Sequence, residues 1–277
     1  MSRSFDYTTV GHVTVDVMPD GSSRPGGSAF YAALQAARLG MRTLIVTKGA
    51  VGEIERLVEP WLGELDLRVL PAARTTTLVT SGRGAARTQQ VLAWAGAIGE
   101  EVALDTRILH LAPVARETPR EWRGRAGFVG ITPQGLVRRW SREDGGVVVH
   151  APLDPALLPA RGDAFVLSET ERESCEALIA GHRGAVVAIT AGAEPTTLRL
   201  ADGELVRVVV PAIERPRDDV GAGDVFAAAF FVALGEGRSP QSAAAFANAA
   251  GAVRIGGIGA EAIGDRTAIE ARRRSAA

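Results

Sequence analysis

The sequence predicts an α/β fold, a mostly parallel sheet with helices packed over it, and three observations carry that prediction. Short β-branched runs alternate with longer stretches of helical periodicity, the order that sets parallel strands side by side under covering helices. One helical stretch, Ser28–Leu39, places small and apolar residues at helical spacing, with Ser28 as a candidate cap and Gly40 as a stop. At 277 residues the chain is long enough to bury a full core.

In chain order, strands are expected at Thr8–Val17, Arg42–Lys48, Ile108–Leu111, Gly127–Ile131, Ala164–Leu167, Ala185–Thr190 and Leu205–Val210. A Pro19-Asp20-Gly21 turn follows the first of them. The region Arg74–Trp94 departs from the pattern, because it is rich in Thr and Gln and carries a Gly82-Arg83-Gly84 turn. It reads as an antiparallel hairpin. With the segment near 13–25 it is expected to form a small β flap, or lid, beside the sheet. No repeat, linker or low-complexity tract divides the chain, so one domain over 1–277 is expected, with its lid from 13–25 and 74–94. The Arg-rich stretch after Ile269 reads as a fraying helix end.

Composition excludes several classes. The formal charge is −1, which leaves no basic field for a nucleic-acid binder. Cys175 is the only cysteine, so neither an internal disulfide nor a cysteine-based zinc cluster can form. Lys48 is the only lysine, which removes most candidates for a catalytic lysine. No signal-peptide pattern opens the chain and no apolar run spans a bilayer, so a cytoplasmic protein with no membrane partner is expected. P-loop, protein-kinase, nucleophile-elbow and His-Glu-x-x-His motifs are all missing.

The chemistry concentrates in Gly221-Ala222-Gly223-Asp224, which runs into an Ala/Phe-rich helix. Glycines let successive N–H groups converge on one point. A helix starting there adds its free amides and the positive end of its dipole. The result is an anion hole suited to charge on a transferring phosphoryl group, with Asp224 placed to take a proton from an acceptor hydroxyl. Asp224 as a plain helix cap is the competing reading.

With the flanking residues, Asp218-Asp219-Val220-Gly221-Ala222-Gly223-Asp224-Val225-Phe226 resembles the C-terminal signature of the ribokinase-like (PfkB) carbohydrate kinase family. A second signature of that family, a Gly-Gly pair opening a helix that ends in Leu-Gly, is matched by Gly26-Gly27-Ser28 running on to Leu39-Gly40. The resemblance implies a ribokinase-like fold and a kinase that moves the γ-phosphoryl of ATP to an alcohol of a sugar, cyclitol or nucleoside. It implies ATP and Mg²⁺ as cofactors, with K⁺ as a further candidate. Asp16, Gly26, Gly27 and Tyr31 become substrate-binding candidates, and Gly221, Ala222, Gly223 and Asp224 the catalytic set. Thr190, Gly192, Asn248 and Gly257 fall at nucleotide-binding positions. Glu171 corresponds to a residue tied to Mg²⁺ through water, and Asp218 to a candidate monovalent-cation ligand.

Each assignment has a structural alternative. Ser168-x-x-Glu171 also has the form of a capping box, Asn248 reads equally as a helix-surface amide, Asp16 as a turn acid, and Tyr31 as a core aromatic. The chain also departs from the family pattern. Tyr31 stands where many members carry asparagine, Ser168 replaces an asparagine, and Asp219 and Val220 replace threonines. Two other functions stay open, an inactive ligand-binding member of the fold and a hydroxymethylpyrimidine-type vitamin kinase. A homodimer paired through the flap is equally open.

Overall fold

The computed structural model describes residues 4–18, 20–82, 88–141 and 143–275. Pro19 of the expected turn and Arg83-Gly84 of the expected hairpin tip lie outside the described residues.

Seven parallel strands form the body of the main sheet, in the order β5 (Asp66–Pro71), β4 (Thr43–Gly49), β1 (Phe5–Val10), β8 (Ala103–Leu111), β9 (Arg123–Ile131), β12 (Ala164–Ser168) and β13 (Val186–Ala191). Two antiparallel strands, β14 (Glu194–Arg199) and β15 (Leu205–Val208), extend the β13 edge. Burial along the central strands shows where the helices sit. In β8 the amino half alternates exposed and buried, whereas its last four residues are buried without a break. Continuous burial is the mark of a strand covered on both faces.

One face lies under α1 (Ser28–Arg38), α2 (Val51–Val58), α4 (Ala222–Gly235) and α5 (Pro240–Ile255), and the other under α3 (Glu176–Gly181) and 3-10 turns. Helix α4 is apolar all round, and Val225 through Ala233 are buried without interruption, as expected of a helix enclosed by neighbours. Its partners are α1 and α5.

The first expected strand is two. Strand β1 stops at Val10, and β2 (Thr14–Val17) leaves the main sheet for a smaller one of order β3-β2-β6-β7, with β3 at Ser23–Gly26, β6 at Thr77–Ser81 and β7 at Thr88–Ala93. The break sits at Gly11, where a Cβ would lie 2.2 Å from the Ala112 carbonyl oxygen. Pairing of β2 with β6 thus joins the 13–25 and 74–94 segments in one sheet. Through Ser275 the Arg-rich stretch after Ile269 is ordered helix and not a frayed end: α6 (Arg266–Arg274) is capped by Asp265, buries Ile269 fully, and Arg272 bonds the Ala212 carbonyl. Among the described residues no helix is long and apolar enough to cross a membrane.

Candidate active site

A cleft of about 690 Å³ opens at the carboxyl ends of β9, β12 and β13, lined by Thr132, Ser168, Thr190, Gly221 and Asp224 among others. Ligands in open α/β sheets bind at that end of the strands. A cavity of about 760 Å³ at the opposite end, around Phe5, Asp105 and Arg125, has the volume but none of the convergent helix ends.

The floor of the cleft is the start of α4. Gly221 caps the helix in the left-handed region, at φ 77° and ψ 0°. An added Cβ would also meet the Tyr31 ring at 2.4 Å, so conformation and packing both require glycine here. The Val225 amide returns to the Gly221 carbonyl at 2.9 Å. The amides of Gly223 and Asp224 belong to the first helical turn, whose donors have no intrahelical acceptor. Gly223 is exposed at the cleft. Together with Ala222 these residues form a turn whose N–H groups and dipole favour an anion.

Asp224 sits in that first turn rather than before it, so it does not cap the helix. Burial pushes its carboxyl up to about 6; the Ser28 hydroxyl and the Arg138 charge oppose the rise, and the Glu171 and Asp16 charges add to it. A carboxyl in that range is a serviceable base near neutral pH. Ser28 does not cap α1 either: the cap is Gly27, at φ 93°. The Ser28 hydroxyl instead faces Asp224 and lies 3.5 Å from Gln134 Oε1.

The Gly26-Gly27 pair shapes the other wall. Gly26 pairs with Thr14 across the β2–β3 ladder, and a Cβ on it would strike the Asp16 carboxylate at 2.2 Å. Asp16 is 7 % exposed and accepts from the Thr14 hydroxyl at 2.6 Å. It lines a cavity of about 290 Å³, with Arg24, Thr80 and Asp218, between the small sheet and the 217–220 loop. Asp219 lines both cavities.

Four expectations change. Tyr31 is 1 % exposed, packs beneath Gly221, and has a hydroxyl with no partner among the described residues. It supports the turn from below instead of facing a substrate. Asn248 is buried, accepts from the Thr196 hydroxyl at 2.8 Å and donates to the Val208 and Val209 carbonyls at 3.4 and 3.1 Å. Its amide ties α5 to β14 and β15, leaving it no free face for a nucleotide. Gly257 lies outside the cleft, where its carbonyl accepts from Arg254 at 3.4 Å; Thr190 and Gly192 do line the cleft.

The fourth is Asp218. Fully buried Arg254 lies 2.8 Å from its Oδ2, Arg24 lies 3.3 Å from the same oxygen, and the Gly259 and Val220 amides complete its partners. Burial alone would raise its pKa, but the Arg254 and amide hydrogen bonds outweigh that and hold it at about 2. Arg254 also donates to the Asp218 carbonyl at 3.2 Å. A guanidinium therefore already uses the carboxylate and carbonyls that a monovalent cation needs, and the residues do not fit one.

A divalent ion is a different case. Among the described residues no cluster of three metal-ligating side chains exists. Glu171 is 5 % exposed and spends Oε2 on the Ser168 amide, 2.9 Å away, in a capping box. It still lines the cleft with Asp219 and Asp224. That donor set fits Mg²⁺ arriving with a polyphosphate and keeping most of its waters.

Sequence reasoning missed Ser28, Arg138 and Arg254 as parts of this site. For Arg254 a signal existed, a single charge in the apolar run of α5.

Residues 161–266 match the model described as pfkB family carbohydrate kinase, a span that holds Glu171, Asp218 and Asp224. The fold is that of ribokinase-family structures. A pyrophosphate-dependent kinase in the ribokinase family, complexed with a pyrophosphate analogue and myo-inositol, shares 22 % identity over 96 % of this chain and 99 % of its own, with a TM-score of 0.75. Arabidopsis thaliana ribokinase, complexed with ribose and ATP, shares 18 % over 98 % and 99 %, with a TM-score of 0.73. Fructokinase from Vibrio cholerae O395, in its fructose, ADP and calcium-bound form, shares 20 % over 97 % and 99 %, with a TM-score of 0.68. No curated protein sequence matches the chain.

Proposed function

We propose that this chain is a phosphotransferase with an alcohol acceptor, taking the terminal phosphoryl of ATP to a sugar, cyclitol or nucleoside. The observation that carries the reading is Asp224, a carboxyl pushed up to about 6, in the first turn of a helix whose N-terminus opens into the cleft. In this reading Asp224 accepts the acceptor's hydroxyl proton as its oxygen forms a bond to phosphorus, and the bond from phosphorus to the bridging oxygen breaks. The Gly223 and Asp224 amides stabilise the charge that gathers on the phosphoryl oxygens. Asp16 holds the acceptor's other hydroxyls, and the small sheet acts as a lid that excludes water. Mg²⁺, when bound, neutralises charge on the donor phosphates, and Glu171 holds it through water.

Inorganic pyrophosphate is a second candidate donor. The loss of Asn248 as a base contact and the likeness to a pyrophosphate-dependent kinase favour it. A panel crossing ATP and pyrophosphate with sugars, cyclitols and nucleosides, read by ³¹P NMR, tests both. A new phosphomonoester with either donor supports the reading. Tight binding of both partners with no transfer identifies a non-catalytic binding protein instead.

A further inference from the structure

Arg138 is a buried charge that the fold leaves almost unserved. It follows the 3-10 turn Pro133–Val137, which leaves the carboxyl end of β9, and sits in the two-residue strand β10 (Arg138–Arg139) paired with β11 (Val149–His150). The residue is 5 % exposed and lines the same cleft as Gly221, Gly223, Asp224 and Glu171. Nη1 donates to the Val114 carbonyl at 2.8 Å. Nε is buried with no partner among the described residues, and no carboxylate there forms an ion pair with the guanidinium.

Neighbouring buried charges are treated differently. The Nε of Arg254 likewise has no partner among the described residues, but its Nη nitrogens reach a carboxylate and two carbonyls. Glu117, fully buried, takes the amides of His12, Val114 and Ala115. A buried charge without such partners is costly, because the water it gave up is not replaced. A guanidinium presents five donors in a planar fork that matches a phosphate. Four acids surround it at longer range, Glu171, Asp224, Glu117 and Asp16. Without a cation such a site would repel a phosphoryl group.

We propose that Arg138 is a phosphate-binding residue of the cleft, donating to the oxygens of the phosphoryl group in transit between donor and acceptor. This rests on reading the cleft as a phosphoryl-transfer site. An acidic substituent on the acceptor would offer the same oxyanion chemistry, and the experiment separates the two sources.

The test compares wild type, Arg138→Met and Arg138→Lys, each checked by thermal melting. Calorimetry measures affinity for inorganic pyrophosphate, and steady-state kinetics use a neutral and an acidic acceptor. Arg138→Met should weaken pyrophosphate at least tenfold and lower kcat/KM about 10²–10³-fold, the cost of one well-placed oxyanion donor, with the neutral acceptor's KM within threefold. Arg138→Lys, which keeps the charge and the fold, should fall between. Because the Arg138 charge pulls Asp224 down, the acidic limb of the Arg138→Met rate profile should move to higher pH. Loss of the charge moves Asp224 whether or not the guanidinium binds phosphate, so pyrophosphate affinity is the readout that a purely structural arginine would leave unmoved. Unchanged pyrophosphate affinity and turnover in both variants overturns the proposal. So does a defect confined to acidic acceptors, which would place the guanidinium on the acceptor. If wild type binds neither pyrophosphate nor ATP, it is the phosphoryl-transfer reading that falls.

Discussion

Arg254 Nη2 lies 2.8 Å from Asp218 Oδ2, and the arginine has no exposure to solvent. This pair anchors the loop leading into the Gly221–Asp224 turn. The positive charge comes from α5 and does not depend on a dissolved ion. Activity and melting temperature should therefore be the same in potassium chloride and tetramethylammonium chloride at equal ionic strength. Arg254→Gln should cost about 1.5–3 kcal/mol, because it removes a charge-assisted hydrogen bond while Arg24 and two amides still serve the half-buried Asp218 carboxylate. A several-fold potassium activation, or a potassium-dependent melting shift in wild type, would contradict the assignment.

The pH dependence follows from Asp224. Its folded pKa lies above the ordinary 3.8, at about 6, so the base form is lost as pH falls through 6. The log of kcat/KM should descend with unit slope below that point and be flat from about 7 upward. A profile flat down to pH 4.5 would show that no carboxyl of this kind controls the rate.

Tyr31 and Gly221 give a structural pair of tests. Removing the unpartnered hydroxyl in Tyr31→Phe should leave the melting temperature unchanged or raise it, since a buried donor without a bond costs about 1–3 kcal/mol. The acceptor KM should stay within twofold. Gly221→Ala forces a methyl into the Tyr31 ring at positive φ, and should lower stability by about 2–4 kcal/mol and abolish turnover. A tenfold rise in acceptor KM for Tyr31→Phe would return that residue to the substrate wall.

Much of the fold was legible because burial on both faces leaves short, nearly continuous apolar runs, as in Ala164–Ser168 and Val186–Ala191. Strand β5 was not, since its polar residues alternate along an edge. The end of β1 was not either, because the close approach of the Ala112 carbonyl to Gly11, just past that end, involves a residue distant in sequence. The same physics divides the site. Gly221–Asp224 and Gly26-Gly27 announce themselves through local backbone needs. The fates of Asn248, Asp218 and Arg138 depend on partners brought from other elements: Thr196, Arg254 and the cleft itself.

The central claim is that Asp224 is the base of a phosphoryl transfer, and Asp224→Asn tests it most directly. Because burial disfavours the charged carboxyl, its loss should stabilise the fold at pH 8 by on the order of 2–3 kcal/mol. That gain should fade as pH falls through about 6 and vanish below the ordinary 3.8. In the same stable variant, donor binding measured by calorimetry should persist while phosphoryl transfer falls at least 10³-fold. Transfer at the wild-type rate by Asp224→Asn would contradict the account.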